Sequence, residues 1–188
     1  MRFWVSVSLL AVLVLSTNAQ SRGGGMRKAI VRNNETMLGG LVPGRSSLRK
    51  AITILGQPTS GSTWRTAKGA EIAVDLNSEE LIQTVRMTQG QFSPREFNGC
   101  FRCVVEGRVW RSGLGLKLGS SADQVVQLYG EPDSRSPSTK DGQRLELLYY
   151  AFDWAGPDVP QVMEVVCTAR SDGKPSVVVE ITLAASSL

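Results

Sequence analysis

Two cysteines separated by two residues, Cys100 and Cys103, form the sharpest chemical motif in this sequence. In a protein made for an oxidising compartment, such a pair can be a redox centre, a structural disulfide or half of a metal site. Only Cys167 remains elsewhere, so a zinc site lacks its fourth ligand, and we predict no metal and no cofactor. An Asn-Gly pair precedes the motif and two valines follow it, and this order predicts a turn followed by a strand. This context favours a disulfide over a redox pair at a helix N-terminus.

The chain contains no histidine. Ser-His and Cys-His nucleophile pairs, histidine metal ligands and the usual neutral-pH general base are therefore excluded. Acidic residues are scattered along the predicted strands without a paired arrangement. The sequence predicts a non-catalytic protein, and a thiol-disulfide oxidoreductase acting through Cys100 and Cys103 is the alternative. Cys167 is either a buried thiol or the disulfide partner of one of them.

The first 19 residues have the features of a cleavable secretory signal peptide. Arg2 supplies the positive start, and residues 3–15 form an apolar run of 13 residues. A helix needs about 20 residues to cross a bilayer, so this run is too short to be a membrane span. We expect cleavage near Ala19-Gln20 and a soluble periplasmic or secreted protein, with no lipid-attachment cysteine beside the cut.

Positive charge is concentrated near the start of the mature chain. Residues 20–50 carry seven Lys and Arg against one Glu, whereas residues 51–188 carry 13 positive and 16 negative charges. We predict a basic, partly disordered arm at 20–39. The alternative to an arm without a role is that residues 22–32 make peripheral contact with an anionic surface. The positive residues are not interleaved with aromatic ones, so nucleic acid is not an expected partner.

Residues 46–58 recur at 120–132, an offset of 74 residues. In both segments the apolar residues follow the i, i+3, i+4, i+7 spacing of one helix face. Each predicted helix has a serine as N-cap, a glycine placed for a left-handed C-cap and a proline two residues later. These matching residues are Ser47, Gly56 and Pro58 in the first segment and Ser121, Gly130 and Pro132 in the second.

Alternation of apolar and polar residues after each helix predicts antiparallel strands with one buried face. We place these strands at 62–67, 71–76 and 81–88, and then at 144–154, 161–170 and 175–184. The predicted fold class is α+β, with two tandem repeats that are each a short helix, or a helix pair, followed by an antiparallel meander. The helices pack on one face of the sheet. Repeat 1 covers 40–88, a linker with the cysteine pair covers 89–107, and repeat 2 covers 108–188.

A glycine, a serine cap, a short helix and a Gly-x-Pro stop recur in both halves. The residues are Gly44, Ser47, Leu55, Gly56 and Pro58, then Gly119, Ser121, Tyr129, Gly130 and Pro132. Over about 40–188 this pattern is similar to the tandem-repeat superfamily of β-lactamase inhibitor proteins. It also resembles the single-repeat outer-membrane assembly lipoproteins of the BamE/SmpA type.

The resemblance implies an exported protein whose sheet or loops bind another protein, and it does not imply an enzyme. This chain departs from the pattern in two respects. It lacks the cysteine that anchors a lipoprotein, and its cysteines do not recur at the repeat offset, so a matched disulfide in each repeat is not expected.

The strand predicted at 144–154 is apolar on both faces. If one face packs beneath the helices, the other presents aromatic side chains that suit a protein-binding surface. The alternative is that helix and loop cover both faces. The candidate protein-binding residues are Tyr149, Tyr150, Phe152, Trp154 and Trp64. We therefore predict a binding module for another exported or cell-envelope protein, and the sequence indicates no oligomeric state.

Overall fold

The structure, a computed structural model, describes residues 33–90, 107, 109–152, 161–170 and 173–185. All of them lie in one compact unit. Its elements follow the chain as α1 (Leu48–Leu55), β1 (Thr63–Arg65), β2 (Ala70–Leu76), β3 (Ile82–Gln89), α2 (Ala122–Tyr129), β4 (Ser134–Lys140), β5 (Gln143–Phe152), β6 (Gln161–Thr168) and β7 (Val178–Ala185).

Both helices begin and end at the residues that the repeated segment predicts. The Ser47 side chain accepts a hydrogen bond from the Lys50 N–H at the start of α1, and Ser121 plays the same part in α2. Gly56 and Gly130 are the C-caps, but their conformation differs from the left-handed one expected. Their φ angles are 86° and 80° with ψ of −166° and −169°, a region open essentially to glycine alone. This conformation turns the chain directly from the helix into an extended Gly-x-Pro segment.

The strands form one seven-stranded sheet in the order β1-β2-β3-β7-β6-β5-β4. Every neighbouring pair is antiparallel. At the centre, β3 pairs with β7 over five residue pairs, from Thr84 with Ala184 to Thr88 with Glu180. The last strand of each half of the chain is therefore joined to the last strand of the other half.

The predicted α+β class with two helix-and-meander repeats is wrong. The protein is mainly β, because its seven strands merge into one antiparallel sheet. Among the described residues there are two helices of eight residues each. The physical reason is that a separate meander would leave β3 or β7 with an unpaired edge, and their mutual pairing satisfies both edges.

One strand has no counterpart in the prediction. β4 reads Ser-Arg-Ser-Pro-Ser-Thr-Lys, and all seven of its residues are exposed. It has no apolar alternation to reveal it, since it lies at the sheet edge beyond the helices. Pro137 lies in its middle, and an edge strand is where a sheet tolerates proline. Arg135, Pro137 and Lys140 also make this edge a poor template for further strands.

The core lies between the two helices and one face of the sheet. Ala51 and Leu55 of α1 and Val125 and Tyr129 of α2 are buried against that face. Equivalent hydrogen bonds tie each helix end to the sheet. The Trp64 indole N–H donates to the Gly56 carbonyl at 2.8 Å, and the Tyr150 hydroxyl donates to the Gly130 carbonyl at 3.1 Å. None of the helices in the described ranges is long and apolar enough to cross a membrane.

Candidate functional site

The face of the sheet opposite α1 and α2 carries a half-buried apolar strip. We call it the helix-free face and define it by Leu145, Leu147 and Tyr149 on β5, Val166 on β6 and Glu180 on β7. Leu145 is buried, yet it does not belong to the core cluster under the helices. Leu147, Tyr149 and Val166 are half-buried. No helix in the described ranges packs on these residues, so the sheet is apolar on both sides along β5.

An ion pair crosses the helix-free face. Lys140 on β4 and Glu180 on β7 form an ion pair at 3.6 Å, although β5 and β6 lie between their strands. In a flat sheet, three strand spacings of about 4.8 Å would separate the backbones of β4 and β7 by roughly 14 Å. The long Lys140 and Glu180 side chains therefore extend toward each other across β5 and β6 on this face. Arg86 on β3 contacts the same carboxylate at 3.7 Å.

Beneath this ion pair lies a cavity of about 500 Å³. Its lining includes the apolar side chains of Leu145, Val166 and Val179, with Lys140 and Glu180 at the rim. An apolar floor with a charged rim is the usual composition of a binding surface. Within the described parts of the chain, no three Cys, Asp or Glu side chains lie together as metal ligands would.

The structure divides the predicted binding residues between the two faces of the sheet. Tyr149 is on the helix-free face, whereas Tyr150, Phe152 and Trp64 are buried in the core. The ring centroids of Tyr150 and Phe152 lie 5.8 Å apart, and the Tyr129 ring lies about 6 Å from each. Tyr150, Phe152 and Trp64 therefore hold the helices on the sheet and are not available to a partner. Trp154 lies outside the described residues.

Cys100, Cys103 and the basic segment 22–32 also lie outside the described residues, as does the signal peptide. The disulfide and redox interpretations of the cysteine pair stay predictions. Cys167 is described, and it is a buried free thiol on β6. Burial, helped by the nearby Glu146 carboxylate, raises the pKa of this thiol to about 11. The thiolate is the reactive form of cysteine, so this site is chemically quiet at neutral pH.

We expect Cys167 to resist alkylation in the folded protein. At pH 8 a pKa of about 11 leaves about one thiol in a thousand ionised, and burial also blocks the reagent. The test uses the Cys100→Ser/Cys103→Ser variant, in which Cys167 is the last cysteine. Iodoacetamide labelling followed by intact mass should show slow modification in buffer and complete modification in urea. Rapid labelling of the folded variant would contradict the buried position.

Sequence analysis did not identify a buried polar cluster around Glu35, which is 2% exposed. One carboxylate oxygen accepts hydrogen bonds from the Thr36 and Met37 N–H groups at 2.9 and 3.0 Å. The other accepts from the Leu114 N–H at 3.0 Å and from the Tyr129 hydroxyl at 2.7 Å. The carboxylate thus joins the segment before α1, the loop before α2 and the end of α2.

The Tyr129 hydroxyl is held in a chain of hydrogen bonds. Because its own proton goes to Glu35, Ser112 donates to the Tyr129 oxygen at 2.6 Å, and the Leu116 N–H donates to Ser112 at 3.0 Å. Burial, reinforced by the adjacent Glu35 carboxylate, raises the pKa of Tyr129 well above its usual range. Gly113 is required beside this cluster, since an added Cβ would lie 2.5 Å from Glu35 Oε1. All the polar atoms of the cluster are satisfied, and it binds parts of the chain to each other.

Comparisons with known proteins give little beyond this geometry. No protein-family model matches the sequence, and no curated protein matches it. A crystal structure of a DUF4309 family protein, YjgB, from Bacillus subtilis is similar over 81% of this chain and 88% of that chain, with 13% sequence identity and a TM-score of 0.43. A likeness at that level carries no conclusion about function. The resemblance to the β-lactamase inhibitor and BamE/SmpA proteins stays a prediction.

Proposed function

We propose that this chain is a non-catalytic protein-binding module, exported to the cell envelope or extracellular space, that holds its partner on the helix-free face. The observation that carries the proposal is the half-buried apolar strip on the side of the sheet opposite both helices, with a cavity at its Leu145 and Val166 end. In an antiparallel sheet with one face in water, every second residue of a strand faces the water, and these residues are normally polar. Here Leu145, Leu147 and Tyr149 follow one another on that side of β5.

The charges around the strip support binding in a defined orientation. Glu180 is shared by Arg86 and Lys140, so a partner that approaches the apolar floor meets a charged rim on the β3 and β4 sides. Rim charges contribute mainly to association rate and specificity, while buried apolar and aromatic contacts supply most of the affinity. Tyr149 is the aromatic residue of the predicted binding set that lies where it can supply such a contact.

The proposal is tested by placing a photo-crosslinking phenylalanine analogue at position 149 of the mature chain. The matched control carries the analogue at Thr53, an exposed position on α1 on the other side of the molecule. After irradiation in envelope extract, position 149 should give a discrete adduct and position 53 should give none. Tyr149→Ala should lower the amount of captured partner at least tenfold, whereas Thr53→Ala should leave it unchanged. Equal adducts at both positions, or full capture by Tyr149→Ala, would contradict the proposed face.

A further inference from the structure

A groove whose lining includes four basic side chains lies where β5 begins and β6 ends. It consists of two adjacent cavities of about 510 and 550 Å³ that share the lining residues Arg144, Ala169 and Arg170. We call this the basic groove. Its charged lining residues are Arg135, Arg144, Glu146, Arg170 and Lys174.

The positive charge of the basic groove is opposite in sign to the net charge of residues 51–188. Residues 51–188 carry 13 positive and 16 negative charges, a net of −3, yet four of those cations line this groove. Glu146 is the one carboxylate among the described lining residues. The arrangement therefore gives the groove a local excess of positive charge.

Two of the four cations are held by exposed neighbours. Arg135 contacts Glu131 at 2.9 Å and the groove carboxylate of Glu146 at 3.7 Å, and Arg170 contacts Asp123 at 3.4 Å. Exposed pairs of this kind contribute little to stability, so a ligand carboxylate can displace them. Among the described residues, no carboxylate lies within 4 Å of Arg144 or Lys174. Within the described parts of the chain, these two cations therefore have no ion-pair partner with which a ligand must compete.

The backbone beneath the groove is fixed by the sheet. The Ala169 N–H donates to the Arg144 carbonyl at 2.9 Å, which holds the ends of β5 and β6 together. The Thr168 N–H donates to the Val177 carbonyl at 2.8 Å, and the Val177 N–H donates to the Thr168 hydroxyl at 3.0 Å. The cations therefore project from a rigid base, which reduces the entropy lost when they bind a ligand.

We infer that the basic groove binds an acidic segment of a protein partner in extended conformation. Two joined cavities with cations spaced along them fit a row of carboxylates better than a single small anion. The inference does not depend on the helix-free face, since the groove is bounded by different residues. Because the side chains are exposed, binding should weaken as salt is added.

The test measures fluorescence anisotropy of a fluorescein-labelled deca-glutamate peptide with the full mature chain at 50 mM NaCl. The Arg144→Glu/Lys174→Glu variant should weaken binding at least tenfold. The matched control is Arg49→Glu/Lys50→Glu, which makes the same change of net charge at exposed positions on α1 and should alter Kd by less than about twofold. Tyr149→Ala should bind the peptide normally, which separates this inference from the proposed function.

Three results would overturn the inference. The first is an equal loss in the Arg49→Glu/Lys50→Glu control, which would mean that net charge alone attracts the peptide. The second is an absence of peptide binding by the unmodified chain at 50 mM NaCl. The third is co-sedimentation with phosphatidylglycerol vesicles that depends on Arg144 and Lys174 while the peptide fails to compete, which would assign the groove to a membrane surface. Thermal unfolding of each variant verifies that it is folded.

Discussion

We expect Glu35→Ala to lower the free energy of unfolding by about 3 kcal/mol, because it leaves buried donors without an acceptor. Four hydrogen bonds end on this carboxylate, and the Tyr129 hydroxyl and the Leu114 N–H come from parts of the chain far from Glu35 in sequence. Urea denaturation followed by circular dichroism measures the loss. Glu79→Ala is the matched control, since Glu79 is exposed and should change stability by about 0.5 kcal/mol or less.

A double-mutant cycle shows whether the effect passes through Tyr129. Tyr129→Phe removes the hydroxyl and keeps the ring that packs against Tyr150 and Phe152. If Glu35 and Tyr129 act as one unit, the double variant should be less destabilised than the sum of the single variants by about 1 kcal/mol or more. Additive losses, or a loss for Glu35→Ala no larger than that for Glu79→Ala, would show that the carboxylate does not organise this cluster.

Tyr150→Ala and Tyr149→Ala should differ sharply although the residues are adjacent. Tyr150 is fully buried, contacts two other rings and donates its hydroxyl proton to the end of α2, so its truncation should cost about 3–5 kcal/mol of unfolding free energy. Tyr149 is half-buried on the helix-free face, and its truncation should cost about 1 kcal/mol.

In the crosslinking and capture experiment, the Tyr149→Ala variant should show the larger defect, although it is the more stable of the two. Tyr149→Ala should be stable and defective in binding, while Tyr150→Ala should bind whenever enough folded protein is present. Urea midpoints and capture yields measured on the same preparations check both statements. Equal destabilisation by the two substitutions would mean that both faces of β5 are packed in the core.

The sequence predicts the positions of the helices better than it predicts which face of each strand is buried. Apolar spacing and the Ser, Gly and Pro signals fix α1 and α2 because those signals are local to each helix. The strand around Tyr149 and Tyr150 is apolar on both sides, so alternation cannot tell which side is inward. Burial of Tyr150 depends on the placement of Tyr129 on α2, which is a tertiary contact.

Three other features have no pattern in the sequence that predicts them. β4 is entirely polar and exposed, so no apolar alternation marks it as a strand. The Glu35 cluster joins residues as far apart as Glu35 and Tyr129, which are separated by 94 positions. No local motif around either residue predicts this contact. The pairing of β3 with β7, which makes the protein mainly β, is likewise long-range and follows from edge satisfaction. These contacts become visible once the chain is folded.

The pairing of β3 with β7 also bears on how each half of the chain would behave alone. In the strand order, β3 faces β7, β2 matches β6 and β1 matches β5, so a pseudo-two-fold axis passes between β3 and β7. An antiparallel pair of edge strands is also a contact through which two copies of one chain can join about a two-fold axis. Each half expressed alone should therefore show a free, self-complementary edge at β3 or β7, and should dimerise or aggregate through it.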